Sequence, residues 1–177
     1  MKQRWAVLID LDQTLVETSA LAELRRQRKW QQVYQSFHLT TLFSGTQLFL
    51  QDVQKLPSLS LGVVTTSPRP YAEQLVAYHH CQVPVVVAYH DSPRHKPFPD
   101  PIVKAAERLR IPPANCFHIG DAPNDIIAAI RASAIPIGLC WDSSLRNQLA
   151  SLPAFPLCAN WSEVLQVIMN TIEAKEN

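Results

Sequence analysis

Asp10 and Asp12 stand two residues apart just past the apolar run that begins at Val7, and Thr14 follows two residues later. Two carboxylates so close repel one another, and a bound cation is the natural reason to keep both. A second acidic pair lies in the stretch HIGDAPNDIIAAI. There Gly120 permits a turn, Asp121 sits just past an apolar run, Pro123 suits a first helical position, and Asp125 falls inside the helix that Pro123 opens. Carboxylates converging from two strand ends form an oxygen-only donor set, which selects a hard cation such as Mg²⁺. Asp10, Asp12, Asp121 and Asp125 are therefore the candidate metal residues.

Two further features arm the same edge. The stretch VVTTSPRP sets the hydroxyls of Thr65, Thr66 and Ser67 at a helix start, where free backbone N–H groups favour an anion. Lys96, in RHKPFPD, reads as a mobile positive charge just before another helix, able to neutralise a phosphate or a carboxylate. Acids with a metal, hydroxyls and a lysine together describe a site for an oxyanion that carries more charge than the acids alone would tolerate. His79, His80 and Cys81 resemble a metal group only superficially. They lie at a helix end away from the acids, where a surface or packing role is expected.

The elements that position these residues are short. Apolar runs at 4–10, 61–65, 83–89, 116–119 and 134–139 have strand length, and several are rich in Val and Ile, as suits strands buried on both faces. Between them Ile102, Ala106 and Leu109 recur at helical spacing, as do Ile126, Ile127 and Ile130, and then Trp161, Val164, Leu165, Ile168 and Ile172. The alternation predicts an α/β fold: a Rossmann-like, doubly wound parallel sheet with right-handed crossovers and ligands outside the carboxyl ends of its strands. The 14 prolines fall mostly at element edges, consistent with sharp strand-to-helix turns.

Length and composition fit this picture. The 177 residues suit one domain, 1–177, and 47% hydrophobic with 18% charged residues is a globular balance. With 16 basic and 15 acidic residues the net charge is +1, so nucleic acid is not indicated and any anion site must be local. No run has the length of a spanning helix and the start does not read as a signal peptide, so the expectation is no membrane and a cytoplasmic location. The four cysteines are scattered, which favours buried thiols over disulfides or zinc.

Taken together, these residues resemble the haloacid dehalogenase (HAD) superfamily, specifically its phosphatases. Four signatures appear in order: Asp10, Asp12 and Thr14 as D-x-D-x-T; Thr65 as the strand-end hydroxyl; Lys96 as the lysine; and Gly120, Asp121 and Asp125 as G-D-x-x-x-D. The chain departs from the commonest pattern at Gln13 and His95, where glycine is frequent, and at Thr66, where asparagine often follows the threonine. The resemblance implies that Asp10 attacks phosphorus to form an aspartyl-phosphate, while Asp12 protonates the leaving oxygen and then activates water. It further implies that Mg²⁺ sits among the Asp10 carboxylate, the Asp12 backbone carbonyl, Asp121 and the phosphate. Thr65 and Lys96 would hold phosphoryl oxygens, and Asp125 would orient Lys96 or a metal-bound water.

In this superfamily an insertion after the first motif forms a cap, and here the segment from Val16 to about Thr41 is short. Trp30, Val33, Tyr34 and Phe37 recur within it at helical spacing, which predicts one amphipathic helix packed on the core or on a partner. Upstream, Arg25, Arg26, Arg28 and Lys29 form either a solvated face or an anion-attracting patch. So small a cap suggests that the phosphorylated substrate is large enough to supply its own cover, or that a second subunit of a homo-oligomer closes the site. It argues against a phosphomutase, which must retain and turn its substrate. Dehalogenase chemistry would leave Asp12 and the phosphate site superfluous. A non-catalytic binding protein with a vestigial site is the reading from a different class, and the intact acids speak against it.

Overall fold

The computed structural model describes residues 3–149, 152 and 154–176. Its centre is β1 (Trp5–Ile9), in which every residue is buried because both faces of the strand are covered. Trp5, Val7 and Ile9 enter one apolar cluster, and Ala6 and Leu8 enter another on the opposite face, as the two-residue repeat of a strand requires. The chain then makes the two-residue strand β2 (Val16–Glu17), a 3₁₀ turn at Ser19–Leu21, α1 (Ala22–Arg26), α2 (Trp30–Gln35), a second 3₁₀ turn at Phe37–Leu39, and β3 (Thr41–Leu42). β2 and β3 pair antiparallel, Val16 opposite Leu42 and Glu17 opposite Thr41, so the intervening segment leaves and re-enters the core at one point.

After this excursion the chain alternates between helix and strand: α3 (Thr46–Gln54), β4 (Leu59–Val64), α4 (Arg69–Tyr78), β5 (Val85–Val87), α5 (Asp100–Leu109), β6 (Cys116–Gly120), α6 (Pro123–Arg131), β7 (Ile135–Leu139), α7 (Ser143–Leu149), β8 (Leu157–Cys158) and α8 (Trp161–Glu176). Six strands form one parallel sheet in the order β5-β4-β1-β6-β7-β8. Helices α5 and α6 cover one face, and α3, α4 and α8 belong to the larger cluster on the other. This is the expected doubly wound α/β architecture. The chain runs outward from β1 through β4 to β5 and then returns to β6 on the other side of β1, so the order reverses beside β1 and opens a crevice at the carboxyl ends of the strands.

Several expectations shift in detail. β5 occupies only three residues of the 83–89 run, with Pro84 preceding it and a 3₁₀ turn at Tyr89–Asp91 closing it. At its outer rim the Val86 carbonyl accepts from Arg69 (3.0 Å) and from Arg108 (2.7 Å), and Asp91 pairs with both guanidinium groups. On α6 the buried positions are Asp125, Ile126, Ala128 and Ala129, and Ile130 is exposed, because only small side chains let that helix approach the sheet closely. The expected amphipathic helix of the inserted segment is interrupted: α2 ends at Gln35 and Phe37 lies in the following 3₁₀ turn. Its apolar face does not await a neighbour. Val33 and Phe37 are buried within this chain, and Trp30 and Phe37 pack on Tyr71 of α4 at 5.9 and 5.8 Å between ring centroids. Cys81, Cys116, Cys140 and Cys158 are free and buried. Among the described residues no helix is long and apolar enough to cross a membrane.

Candidate active site

The parallel pairing of β1 with β4 and β6 brings three strand ends to one edge: Asp10 after β1, Thr65 after β4 and Asp121 after β6. Asp10 donates its backbone N–H to the Ile119 carbonyl (2.9 Å), which ties the first acid to the strand that delivers the second pair. One carboxylate oxygen from each of Asp10, Asp121 and Asp125 lies within 4.8 Å of the others, and all three residues are buried. Thr14 donates to Asp121 (2.8 Å). Gly120 is required here by space as well as by the turn. A methyl group at its position would stand 2.3 Å from the Cβ of Asp125.

Lys96 is not the mobile charge that its place in a loop suggests. Its ammonium is buried and donates to Asp10 (2.6 Å), to Asp125 (2.5 Å) and to the Val64 carbonyl (3.0 Å), so all three N–H groups are engaged. Three acceptors converging on one ammonium fix it where burial alone would expel it. Burial lowers the lysine pKa, but Asp10 and Asp125 more than reverse this and hold it charged. Burial likewise pushes Asp125 up, yet Lys96 and His118 keep it well below the usual carboxylate range. Asp10 is raised well above that range by burial, with Asp125 and Asp121 adding to the shift and Lys96 opposing it. Burial takes Asp121 up to about 6, Thr14 acting against it. Two of the three carboxylates, Asp10 and Asp121, thus resist ionisation, and an added cation would favour their charged forms.

Asp12 does not join this trio. Its carboxylate points to the other side of the edge, where it accepts from Thr18 (2.8 Å), Ser67 (2.7 Å) and Tyr71 (2.6 Å) and pairs with Arg25. Burial and the adjacent Asp12 raise the Tyr71 phenol pKa, so it stays a donor. Thr65 is buried and its hydroxyl accepts from the Ser67 N–H (3.1 Å), while Thr66 is exposed at the mouth of the edge. Of the four basic residues, Arg25 turns inward, Arg26 pairs with Glu23, and Arg28 and Lys29 are exposed. His79 contacts Thr40 (2.7 Å) across the base of the inserted segment, remote from the acids.

Thr18, Tyr71 and His118 belong to the site without a signal in the motifs. His118, fully buried in β6, contacts Asp125 at 3.2 Å, and burial lowers its pKa. A histidine inside an apolar strand was the only visible hint. Gln13, where glycine is frequent in the resembling family, takes the left-handed φ of 65° that explains the glycine. His95 stacks on Tyr89, ring centroids 3.9 Å apart.

A model of the haloacid dehalogenase-like hydrolases matches residues 17–133, more than half of the chain. The chain belongs to this family. The HAD assignment expected from the motifs is thus borne out, and so is the hydrolase class. Asp10, Asp12 and Thr14 precede the matched span, so their placement stands on the geometry above. The phosphoglycolate phosphatase of Photorhabdus laumondii is 24% identical over 169 residues, 92% of this chain and 71% of the relative. That of Escherichia coli K12 is 35% identical over 104 residues, 55% of this chain and 41% of the relative. The chain therefore spans less than half the length of the E. coli enzyme in this match. Among solved structures, a predicted phosphoglycolate phosphatase from Haemophilus somnus superposes with a TM-score of 0.78 at 18% identity, covering 94% of this chain and 99% of that one. A Rhodobacter sphaeroides protein in complex with xylulose 1,5-bisphosphate gives 0.77 at 18% identity, covering 91% and 96%. At such identities the likeness shows the shared HAD fold.

Proposed function

We propose that this HAD hydrolase is a Mg²⁺-dependent phosphatase that cleaves a phosphomonoester through an aspartyl-phosphate on Asp10. The observation that carries the reading is the separation of two carboxylates into two environments. Asp10 sits in a crowded cluster of acids with a fixed ammonium, whereas Asp12 sits among hydroxyl donors and an arginine beside an open cleft. Two acids held apart in this way can take two roles. The names of the relatives, phosphoglycolate phosphatases, support the same class of substrate.

In the first half-reaction an Asp10 carboxylate oxygen forms a bond to phosphorus as the bond from phosphorus to the ester oxygen breaks, and Asp12 gives its proton to that departing oxygen. In the second, water attacks the phosphoryl group, Asp12 takes its proton, and Asp10 is released with inorganic phosphate. Lys96 orients Asp10 and offers positive charge at the phosphoryl oxygens, and Asp125 and the Val64 carbonyl keep it aimed there. Thr65 and Ser67, at the start of the loop into α4, line the phosphate position. Oxygen donors from Asp10, Asp121 and Asp125 fit Mg²⁺, which would neutralise charge between nucleophile and phosphate. The test is Asp10→Asn, an isosteric change that removes the nucleophile. Turnover of p-nitrophenyl phosphate with Mg²⁺ should fall by roughly 10³-fold or more while the circular dichroism spectrum is unchanged. Near wild-type turnover would overturn the assignment.

A further inference from the structure

His118 is the polar residue that the apolar sheet has least reason to hold. It lies opposite Leu8 in the parallel pairing of β6 with β1, fully buried between Phe117 and Ile119 of its own strand. Those two neighbours enter the larger apolar cluster, so the two-residue repeat turns the imidazole to the other face, where Leu8, Cys116, Ala128 and Ala129 form part of the second cluster. Among the described residues its Nδ1 meets no partner at hydrogen-bond geometry. A leucine would fill that layer without an orphaned nitrogen, so the imidazole lowers stability there unless its other nitrogen compensates.

That nitrogen, Nε2, faces Asp125 at 3.2 Å, on the same Oδ1 that accepts from Lys96 (2.5 Å). An oxygen that accepts from an ammonium is an acceptor for the ring as well, so Nε2 carries the proton. The other carboxylate oxygen, Oδ2, accepts from the Ala122 N–H (3.2 Å) at the start of α6. Lys96 is a long side chain arriving from a loop, and it cannot fix its own partner. His118 stands on an interior strand of the sheet and can. From it the contacts run without a break: the ring to Asp125, Asp125 to Lys96, and Lys96 to Asp10 (2.6 Å). The ring is no part of the cation site, because among the described residues the side chains that could share an ion are Asp10, Asp121 and Asp125.

We propose that His118 is a positioning residue of this enzyme: by donating from Nε2 to Asp125 Oδ1 it holds that carboxylate turned toward Lys96, and through it keeps the ammonium between Asp10 and the phosphoryl oxygens. The ring itself stays behind Asp125, away from the reacting atoms. Without its donor Asp125 would turn about its Cβ–Cγ bond and take Lys96 with it. The penalty then falls where charge develops on the phosphoryl group and leaves ground-state binding nearly intact. The inference rests on the phosphatase reading and adds to it the residue that aims the lysine.

Gln and His carry Nε2 at the same number of bonds from Cα, whereas the Asn amide stops at the depth of Nδ1. The experiment compares wild type with His118→Gln, His118→Asn and His118→Leu on p-nitrophenyl phosphate with Mg²⁺, alongside unfolding midpoints. His118→Leu and His118→Asn should lose about 10- to 50-fold in kcat with KM within about three-fold of wild type, and His118→Gln should recover most of the loss. Losses in kcat that follow the unfolding midpoint across all three variants, with no recovery in His118→Gln, would overturn the proposal and leave His118 a packing residue. Should the variants fail to fold, the wild-type protein decides: a long-range proton–nitrogen NMR spectrum should show His118 protonated at Nε2, and a bare Nε2 would overturn the assignment without any substitution. NMR also separates this inference from the phosphatase reading. A protonated Nε2, with slowly exchanging Lys96 ammonium protons that His118→Leu releases, in a protein that turns over no phosphomonoester sustains the link and sinks that reading; turnover indifferent to His118→Leu does the reverse.

Discussion

Gly120 is where the site has the least room. Any side chain there must push Asp125 away, and Asp125 is what holds Lys96 against Asp10. Gly120→Ala should therefore cost about 1–3 kcal/mol, the usual range for overpacking, and lower kcat by much more than it raises KM. Denaturant titration and steady-state kinetics on p-nitrophenyl phosphate check both parts; a variant that folds less stably but turns over normally would show that Asp125 does not position the lysine. At this scale the sequence is informative where chemistry depends on local spacing. Asp10 with Asp12, and Asp121 with Asp125, are legible because each pair sits within a few residues of a strand end. The immobilisation of Lys96 is not, since its three acceptors come from Val64, Asp10 and Asp125, far apart in the chain. Arg25 is invisible for the same reason: within a run of four basic residues nothing local distinguishes the one that meets Asp12.

At the scale of elements, the inserted segment is held by aromatic packing more than by its own helices. α1 and α2 have five and six residues, too short to be stable by propensity, so burial of Val33 in the core and the contacts of Trp30 and Phe37 with Tyr71 of α4 must hold the segment. Phe37→Ala should destabilise the protein by about 3 kcal/mol and loosen the segment that carries Arg25, the partner of Asp12, lowering kcat. Thermal unfolding and kinetics measure the two effects; an unchanged kcat would mean that the segment stays seated without its anchor. The longer elements are readable: β1, β4 and β6 come from short apolar runs of strand length, and α5 and α8 from helical repeats. β2, β3 and β8 have two residues each, too few for any repeat to register. The expectation of a large substrate came from the length of the segment alone, and length does not show that one of its arginines touches the reaction edge.

For the whole molecule, a cation held by the three-carboxylate cluster would couple metal binding to stability. A cation that binds only the folded state adds RT ln(1 + [L]/Kd), about 2.7 kcal/mol at a hundred times Kd. Mg²⁺ should raise the unfolding midpoint, and exhaustive chelation should abolish turnover until Mg²⁺ or Mn²⁺ is restored; Ca²⁺, with its larger and looser shell, should bind without restoring it. Full activity in excess chelator would remove the metal from the mechanism.

The outer rim of β5 has a consequence for how copies of this chain coexist at high concentration. A strand at the border of a sheet is a template on which another chain can lay a strand of its own. Here the Val86 carbonyl, which such an intruder would need, is already taken by Arg69 and Arg108, and Asp91 holds both guanidinium groups in place. Asp91→Ala should free Arg108 and leave Arg69 held by Glu73 alone, uncovering part of the border. The expected result is light scattering that rises with protein concentration and time while specific activity in freshly prepared dilute samples is retained. A variant that stays clear at the concentrations tolerated by wild type would show that the short length of β5 protects the border by itself.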